Sequence, residues 1–298
     1  MTVDATPTEI ICRDGVTLGA HWWKAENRHL LGTVIINPAT GVLARYYHRY
    51  AVFLARHGFD VLTYDYRGIG LSRGSGLRGK AYGWRDWGER DFDAALRHAI
   101  AEAPASPVSV VGHSIGGFLP GYAENAGAIY RMLTVGAQRA FWRDYRADKR
   151  LGLLLKWHVL MPALTGALGY FPGRALGWLE DLPAGVVWSW SLGGPRLEHR
   201  LPHDERQTLL ARFAMVNAPV LALSVSDDPF ATRPAMRRAL EDYITADAIK
   251  VMLEPTDLGF ETIGHFDLFH ARHAPSFWLD TLLWLHDGVN PWPQRRFD

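Results

Sequence analysis

From Thr8 to Trp23 apolar and polar positions alternate around Asp14-Gly15, a dipeptide that takes the positive φ angles of a tight hairpin turn. Two antiparallel strands are predicted there. A short apolar run, Thr33 to Asn37, precedes Tyr47, Tyr50, Ala51 and Leu54 at helical spacing, and Gly58 is placed to end that helix. A second run, Asp60 to Tyr64, completes a strand, helix, strand unit. The alternation then repeats: a helix from Trp84 to Glu102, a strand at Val108 to Val111, a helix after Gly117 and a strand at Met132 to Val135. It resumes with a strand at Pro219 to Val225, a helix around Ala235 to Tyr243, a strand at Ile249 to Leu253 and a helix from Ser276 to Leu285. Unbroken Val, Ile and Leu strands alternating with helices give an α/β fold, a mostly parallel sheet covered by helices on both faces.

The interruption, roughly Arg139 to Leu209, has another texture: Trp142, Trp157, Trp178, Trp188 and Trp190, many leucines, and no clear β-branched run. It predicts a helical cap inserted over residues 139–208, with residues 1–138 and 209–298 forming the core domain. Within it the greasiest stretch, Leu151 to Phe171, is broken by Lys156, His158, Pro162 and glycines, and reads as a cap or core helix instead of a membrane span.

Composition narrows the partners. A chain of 298 residues that is 48% hydrophobic can bury a large core. Its 32 Lys and Arg nearly cancel 31 Asp and Glu, so no basic excess draws a nucleic acid by its phosphates. The single cysteine, Cys12, allows neither an internal disulfide nor a cysteine zinc cage, and the first residues carry no secretory signal, so the cytoplasm is the expected location. No HExxH or compact His/Asp cluster occurs, and no metal or cofactor is expected.

The chemistry concentrates at Val108 to Gly117, where a strand runs into Gly112-His113-Ser114-Ile115-Gly116. Gly-x-Ser-x-Gly between strand and helix is a nucleophile elbow: the tight turn exposes the Ser114 hydroxyl, and the glycines admit neighbouring backbone. The N–H of Ile115 then points towards an anionic intermediate. Gly70-Leu71-Ser72-Arg73-Gly74 also matches, but the residues after Ser72 cannot begin a packed helix. The literal GxGxxG of Gly74 to Gly79 lacks the strand and helix of a dinucleotide site and reads as loop.

Serine needs a base, and the base needs an orienting carboxylate. Asp227 and Asp228 follow the strand Pro219 to Val225; Asp228 is preferred because Pro229 restrains it to an extended conformation, with Asp227 the alternative. His265, in the loop between the final strand and the final helix, stands where the base is required. A second oxyanion donor is expected from the turn Pro38-Ala39-Thr40-Gly41, and the Thr40 N–H is chosen because Pro38 has none.

With these residues the chain resembles the α/β-hydrolase superfamily over nearly its whole length, and more narrowly bacterial hydrolases of the serine-aminopeptidase-like and monoacylglycerol-lipase-like branches. Asp65 to Ser72 matches the superfamily's turn after its fourth strand, and Pro38-Ala39 stands where most relatives carry His-Gly. The resemblance implies a cofactor-independent serine hydrolase in which Ser114, Asp228 and His265 form the triad and Ile115 and Thr40 the oxyanion hole. The expected substrate is a small to medium ester, apolar on its acyl side. Acyl transfer, thioester hydrolysis and amide cleavage are alternatives on the same triad, and a binding protein that has lost catalysis is a more distant one.

Overall fold

A computed structural model describes residues 4–26, 30–196 and 201–298. Strands β1 (Ala5–Ile11), β2 (Thr17–Trp23), β3 (Gly32–Asn37), β4 (Phe59–Tyr64), β5 (Val108–His113) and β6 (Ile129–Val135) form one sheet with β9 (Val220–Val225) and β10 (Ala248–Leu253), in the order β1-β2-β4-β3-β5-β6-β9-β10. β2 runs antiparallel to β1 and β4, and the other pairings are parallel. Every residue of β3, β4, β5 and β9 is buried, whereas β1 at the sheet edge is largely exposed. That contrast follows from helices covering both faces of the parallel part.

Successive strand residues point to opposite faces, and the apolar core divides accordingly. Ile35, Leu62, Val110 and Met132 pack with Trp87, Phe92 and Leu119 on one side. Val34, Ile36, Val61, Val111 and Leu133 pack with Tyr50, Leu54, Trp278 and Trp284 on the other.

The predicted helix after Gly117 is a correction. The chain there forms two short 3₁₀ turns, Ser114–Gly117 and Leu119–Tyr122. Pro120 lacks the N–H that an α-helix would use, and paired glycines favour helix poorly.

Between β6 and β9 lies a helix Arg150–Leu168, then a hairpin of β7 (Tyr170–Phe171) and β8 (Leu182–Pro183), then a helix Ala184–Ser191. The helix Arg150–Leu168 is long and apolar enough to cross a membrane by length and composition alone, and only 17% of it is buried. The next helix, His203–Met215, sets Phe213 against Phe118 and Tyr122 with ring centroids 4.9 and 5.3 Å apart. The expected division at residue 208 falls inside it.

Asp65 to Ser72 is held by buried charge. The Arg67 guanidinium, 1% exposed, donates from Nε to Asp91 Oδ1 at 2.6 Å and from a terminal nitrogen to Asp14 Oδ2 at 2.6 Å. Burial pushes the Asp91 carboxyl up to about 7, against the pull of Arg67. Arg67→Ala is therefore expected to cost about 3–5 kcal/mol, the usual consequence of stranding a buried charge. Without Arg67 the carboxyl pKa rises further, so the loss is smallest at low pH, where Asp91 is protonated in both proteins, and grows as pH rises above about 7, where only the native carboxyl ionises, until the variant's carboxyl ionises too. Urea unfolding at pH 5 and pH 8 checks both the size and this sign.

Candidate active site

β5 lies at the centre of the sheet between β3 and β6, and its C-terminal end carries Ser114. Ser114 has φ 54°, the left-handed region that a side chain rarely adopts. The turn is tight enough to exclude a Cβ on either side: one at Gly112 would meet Gly117 Cα at 2.4 Å, and one at Gly116 would meet the Asn37 carbonyl at 2.3 Å. Both glycines of the motif are thus sterically required, and the strained serine borders a cavity.

Asp228 follows β9 and His265 lies in the loop after β10. The His265 ring donates from Nδ1 to Asp228 Oδ2 at 2.7 Å, and both side chains are nearly fully buried. The other carboxylate oxygen, Oδ1, accepts from the N–H groups of Phe230 and Ala231 at 2.7 and 3.0 Å. Burial alone would raise this carboxyl, but the His265 ring and these hydrogen bonds outweigh it and hold it below the usual carboxylate range. Asp227 does something else: its oxygens accept the N–H groups of Ile263 and Gly264 at 2.8 and 3.0 Å, immediately before His265. One aspartate holds the ring and its neighbour holds the loop.

Ser114, His265 and Thr40 line one cavity of about 270 Å³. The Ser114 hydroxyl makes no hydrogen bond to the His265 ring in this arrangement; such contacts often tighten only with substrate bound. Its oxygen instead accepts from Gln138 Nε2 at 3.4 Å. Gln138 is buried, and its Oε1 accepts the N–H of Ala140, which turns the amide NH₂ towards Ser114. Sequence reasoning missed Gln138, although a polar residue just past the end of a central strand is a signal that could have found it.

Gly136, φ 62°, also escaped notice. A Cβ there would meet the His265 ring at 3.1 Å and Asp228 Oδ2 at 3.2 Å. A side chain there would crowd the pair and would itself sit in the left-handed region, so glycine suits the position.

At the donor loop, the Ala39 N–H is bound to the Tyr47 hydroxyl at 3.0 Å, whereas the Thr40 N–H has no partner among the described residues. Ile115 is near the start of its turn, where N–H groups lack intrahelical acceptors. A buried link joins this loop to the His265 segment. His113 Nε2 lies 2.8 Å from the His265 carbonyl, which only accepts, so Nε2 carries the proton and Nδ1 accepts from Tyr47 at 2.7 Å. Burial, with His265 nearby, pushes the His113 ring down to about 3 and keeps it neutral.

Ser72 takes no part. Its hydroxyl donates to the Asp65 carbonyl at 2.6 Å and accepts the Gly19 N–H at 2.9 Å, which pins a turn to β2. The Gly74 to Gly79 segment is loop without a flanking strand and helix. Of the tryptophans in the insert, Trp157, Trp178 and Trp190 line the cavity, together with Leu153, Phe230 and Phe266. Phe171, in β7 of the insert, is fully buried in the apolar core. Among the described residues no cluster of three His, Cys, Asp or Glu side chains could hold a metal ion.

The family described as serine aminopeptidase, S33, matches residues 28–125, a stretch that contains Ser114. A soluble variant of the monoglyceride lipase from Saccharomyces cerevisiae, solved with a substrate analogue, superposes with a TM-score of 0.67 at 15% identity over 97% of this chain and 96% of that one. An esterase from Pyrococcus furiosus gives 0.62 at 14% identity over 96% and 91%. The monoacylglycerol lipase of Paleococcus ferrophilus gives 0.56 at 16% identity over 91% and 99%. At these identities the likeness is one of fold. No curated protein matches the chain by sequence.

Proposed function

Because this chain has the α/β-hydrolase fold, we propose that it is a serine hydrolase that cleaves carboxylic esters through an acyl-enzyme on Ser114. The observation that carries the reading is the Asp228–His265 pair, 2.7 Å apart and buried beside a strained Ser114 on the wall of one cavity. Asp228 fixes the ring so that Nδ1 carries a proton and Nε2 is free to take the one on Ser114. The Ser114 oxygen attacks the acyl carbon, and the Thr40 and Ile115 N–H groups bind the negative charge that develops on the carbonyl oxygen. Protonated His265 gives its proton to the departing alkoxide. Water, deprotonated by the same ring, then attacks the acyl carbon, the acyl–Ser114 bond breaks, and the ring returns its proton to the Ser114 oxygen, which frees the acid and restores the enzyme.

Apolar walls from Trp157, Trp190, Leu153 and Phe230, and a volume of about 270 Å³, favour a small to medium substrate. We further propose that the insert between β6 and β9 acts as the cap, since Leu153, Lys156, Trp157, Trp178, Leu179 and Trp190 supply much of the cavity lining.

A fluorophosphonate tests the reading. Treatment of the purified protein should add one phosphonyl group, mapped by peptide mass spectrometry to Ser114, and should stop cleavage of p-nitrophenyl butyrate in proportion to labelling. An adduct elsewhere, or full activity in the labelled protein, would refute it.

A further inference from the structure

The helix Arg150–Leu168 is oriented against the ordinary logic of solvation. Leu151, Leu155 and Val159 face outward, with Leu151 77% exposed, whereas Lys156 is partly buried and borders the cavity that holds Ser114 and His265. A lysine normally carries its ammonium to water along its flexible stem. Here Nζ sits 4.5 Å from the Trp157 ring centroid and 4.2 Å from that of Trp178. Among the described residues no carboxylate lies within ion-pair distance of it. Ring faces compensate a cation only in part. Burial accordingly draws the Lys156 pKa down.

The groove next door continues the same sign. It shares Trp178, Leu179 and Phe266 with the cavity and adds Arg45 and Arg49, neither of which has a carboxylate within ion-pair distance among the described residues. The field of Arg45 reaches the buried Asp65. Its one acidic lining residue, Glu180, faces Arg174 at 4.0 Å. Cations around a low-dielectric mouth concentrate anions there.

We propose that the ester cleaved at Ser114 carries an anionic group, a carboxylate or a phosphate, held by Lys156 at the end of an otherwise apolar body. This rests on the serine hydrolase reading and names the substrate class for it. The Lys156 ammonium, which has no ion-pair partner among the described residues, supplies the charge, the tryptophan and leucine walls take the carbon chain, and Arg45 and Arg49 draw the anion in.

Matched substrate pairs test the assignment. On the acyl side, the p-nitrophenyl monoester of glutaric acid is compared with p-nitrophenyl pentanoate. On the alcohol side, the butyryl esters of 4-hydroxybutanoate and of 3-hydroxypropyl phosphate are compared with butyl butyrate, with acid release followed by titration. The readout is the ratio of kcat/KM, anionic over neutral, in the native protein, Lys156→Met and Lys156→Arg. A charged hydrogen bond of the usual strength makes the native ratio on the order of ten- to a hundredfold for at least one pair. That ratio should fall towards unity in Lys156→Met, recover in Lys156→Arg, and shrink with added salt. Which pair responds separates an acyl-side from an alcohol-side anion and carboxylate from phosphate.

A native ratio at or below one for every pair overturns the inference without needing any variant, and so does a ratio that Lys156→Met leaves unchanged. If Ser114 is labelled and the neutral esters are cleaved in those same preparations, the anion assignment alone has failed. If Ser114 takes no label and no ester is cleaved, both fall.

Discussion

Replacing Ser114 by alanine is expected to lower kcat for p-nitrophenyl butyrate by roughly 10⁴–10⁶-fold, the range seen when a serine nucleophile is removed from an intact triad. The large effect follows from the division of labour in the proposed mechanism. The Asp228–His265 pair, the Thr40 and Ile115 N–H groups and the apolar walls all survive the substitution, but each acts on a bond that only the Ser114 oxygen can form. What remains is the catalysis that bound water gains from oriented donors. The substitution removes a single oxygen, whose hydrogen-bond partner in the structure is Gln138 Nε2 at 3.4 Å. Thermal unfolding should therefore change little, and the fluorophosphonate adduct should vanish. A variant that keeps more than about 1% of the native rate would place the nucleophile elsewhere, because loss of that size is below what any triad removal produces.

The parts legible in the sequence were those in which one local rule decided the outcome. Asp14-Gly15 set the first hairpin, the Val, Ile and Leu runs set the parallel strands, and Gly112, Ser114 and Gly116 announced a turn that the packing confirms by leaving no space for a Cβ. The helix after Gly117 was misread because Pro120 weighs more than the apolar residues around it. Gln138, Gly136 and the His113–Tyr47 link were invisible for another reason. Each has meaning only through partners that are distant in sequence: Gln138 through Ser114, Gly136 through His265, and His113 through Tyr47 and the His265 carbonyl. Lys156 shows the limit most clearly. In the sequence it interrupts a greasy run; in the fold it is the charge of that run turned towards the reacting cavity.

The two neighbouring aspartates supply the second large prediction. Asp228→Asn should reduce kcat by about 10³–10⁴-fold, because an amide facing Nδ1 no longer requires a proton there and the ring can hold its proton on Nε2, where the base must be free. It should also leave the developing imidazolium without its counter-charge. Asp227→Asn should cost far less, about tenfold. Its role is to accept the Ile263 and Gly264 N–H groups ahead of His265, and an asparagine carbonyl still accepts one of them. The pair of variants separates ring orientation from loop position, two tasks that the sequence alone leaves undivided between adjacent carboxylates. Initial rates at saturating substrate, measured on both variants at one pH, provide the test. Equal losses would mean that the loop moves whenever either carboxylate goes. A larger loss for Asp227→Asn would transfer the orienting role to it and require the 2.7 Å contact between Asp228 and His265 to break during turnover.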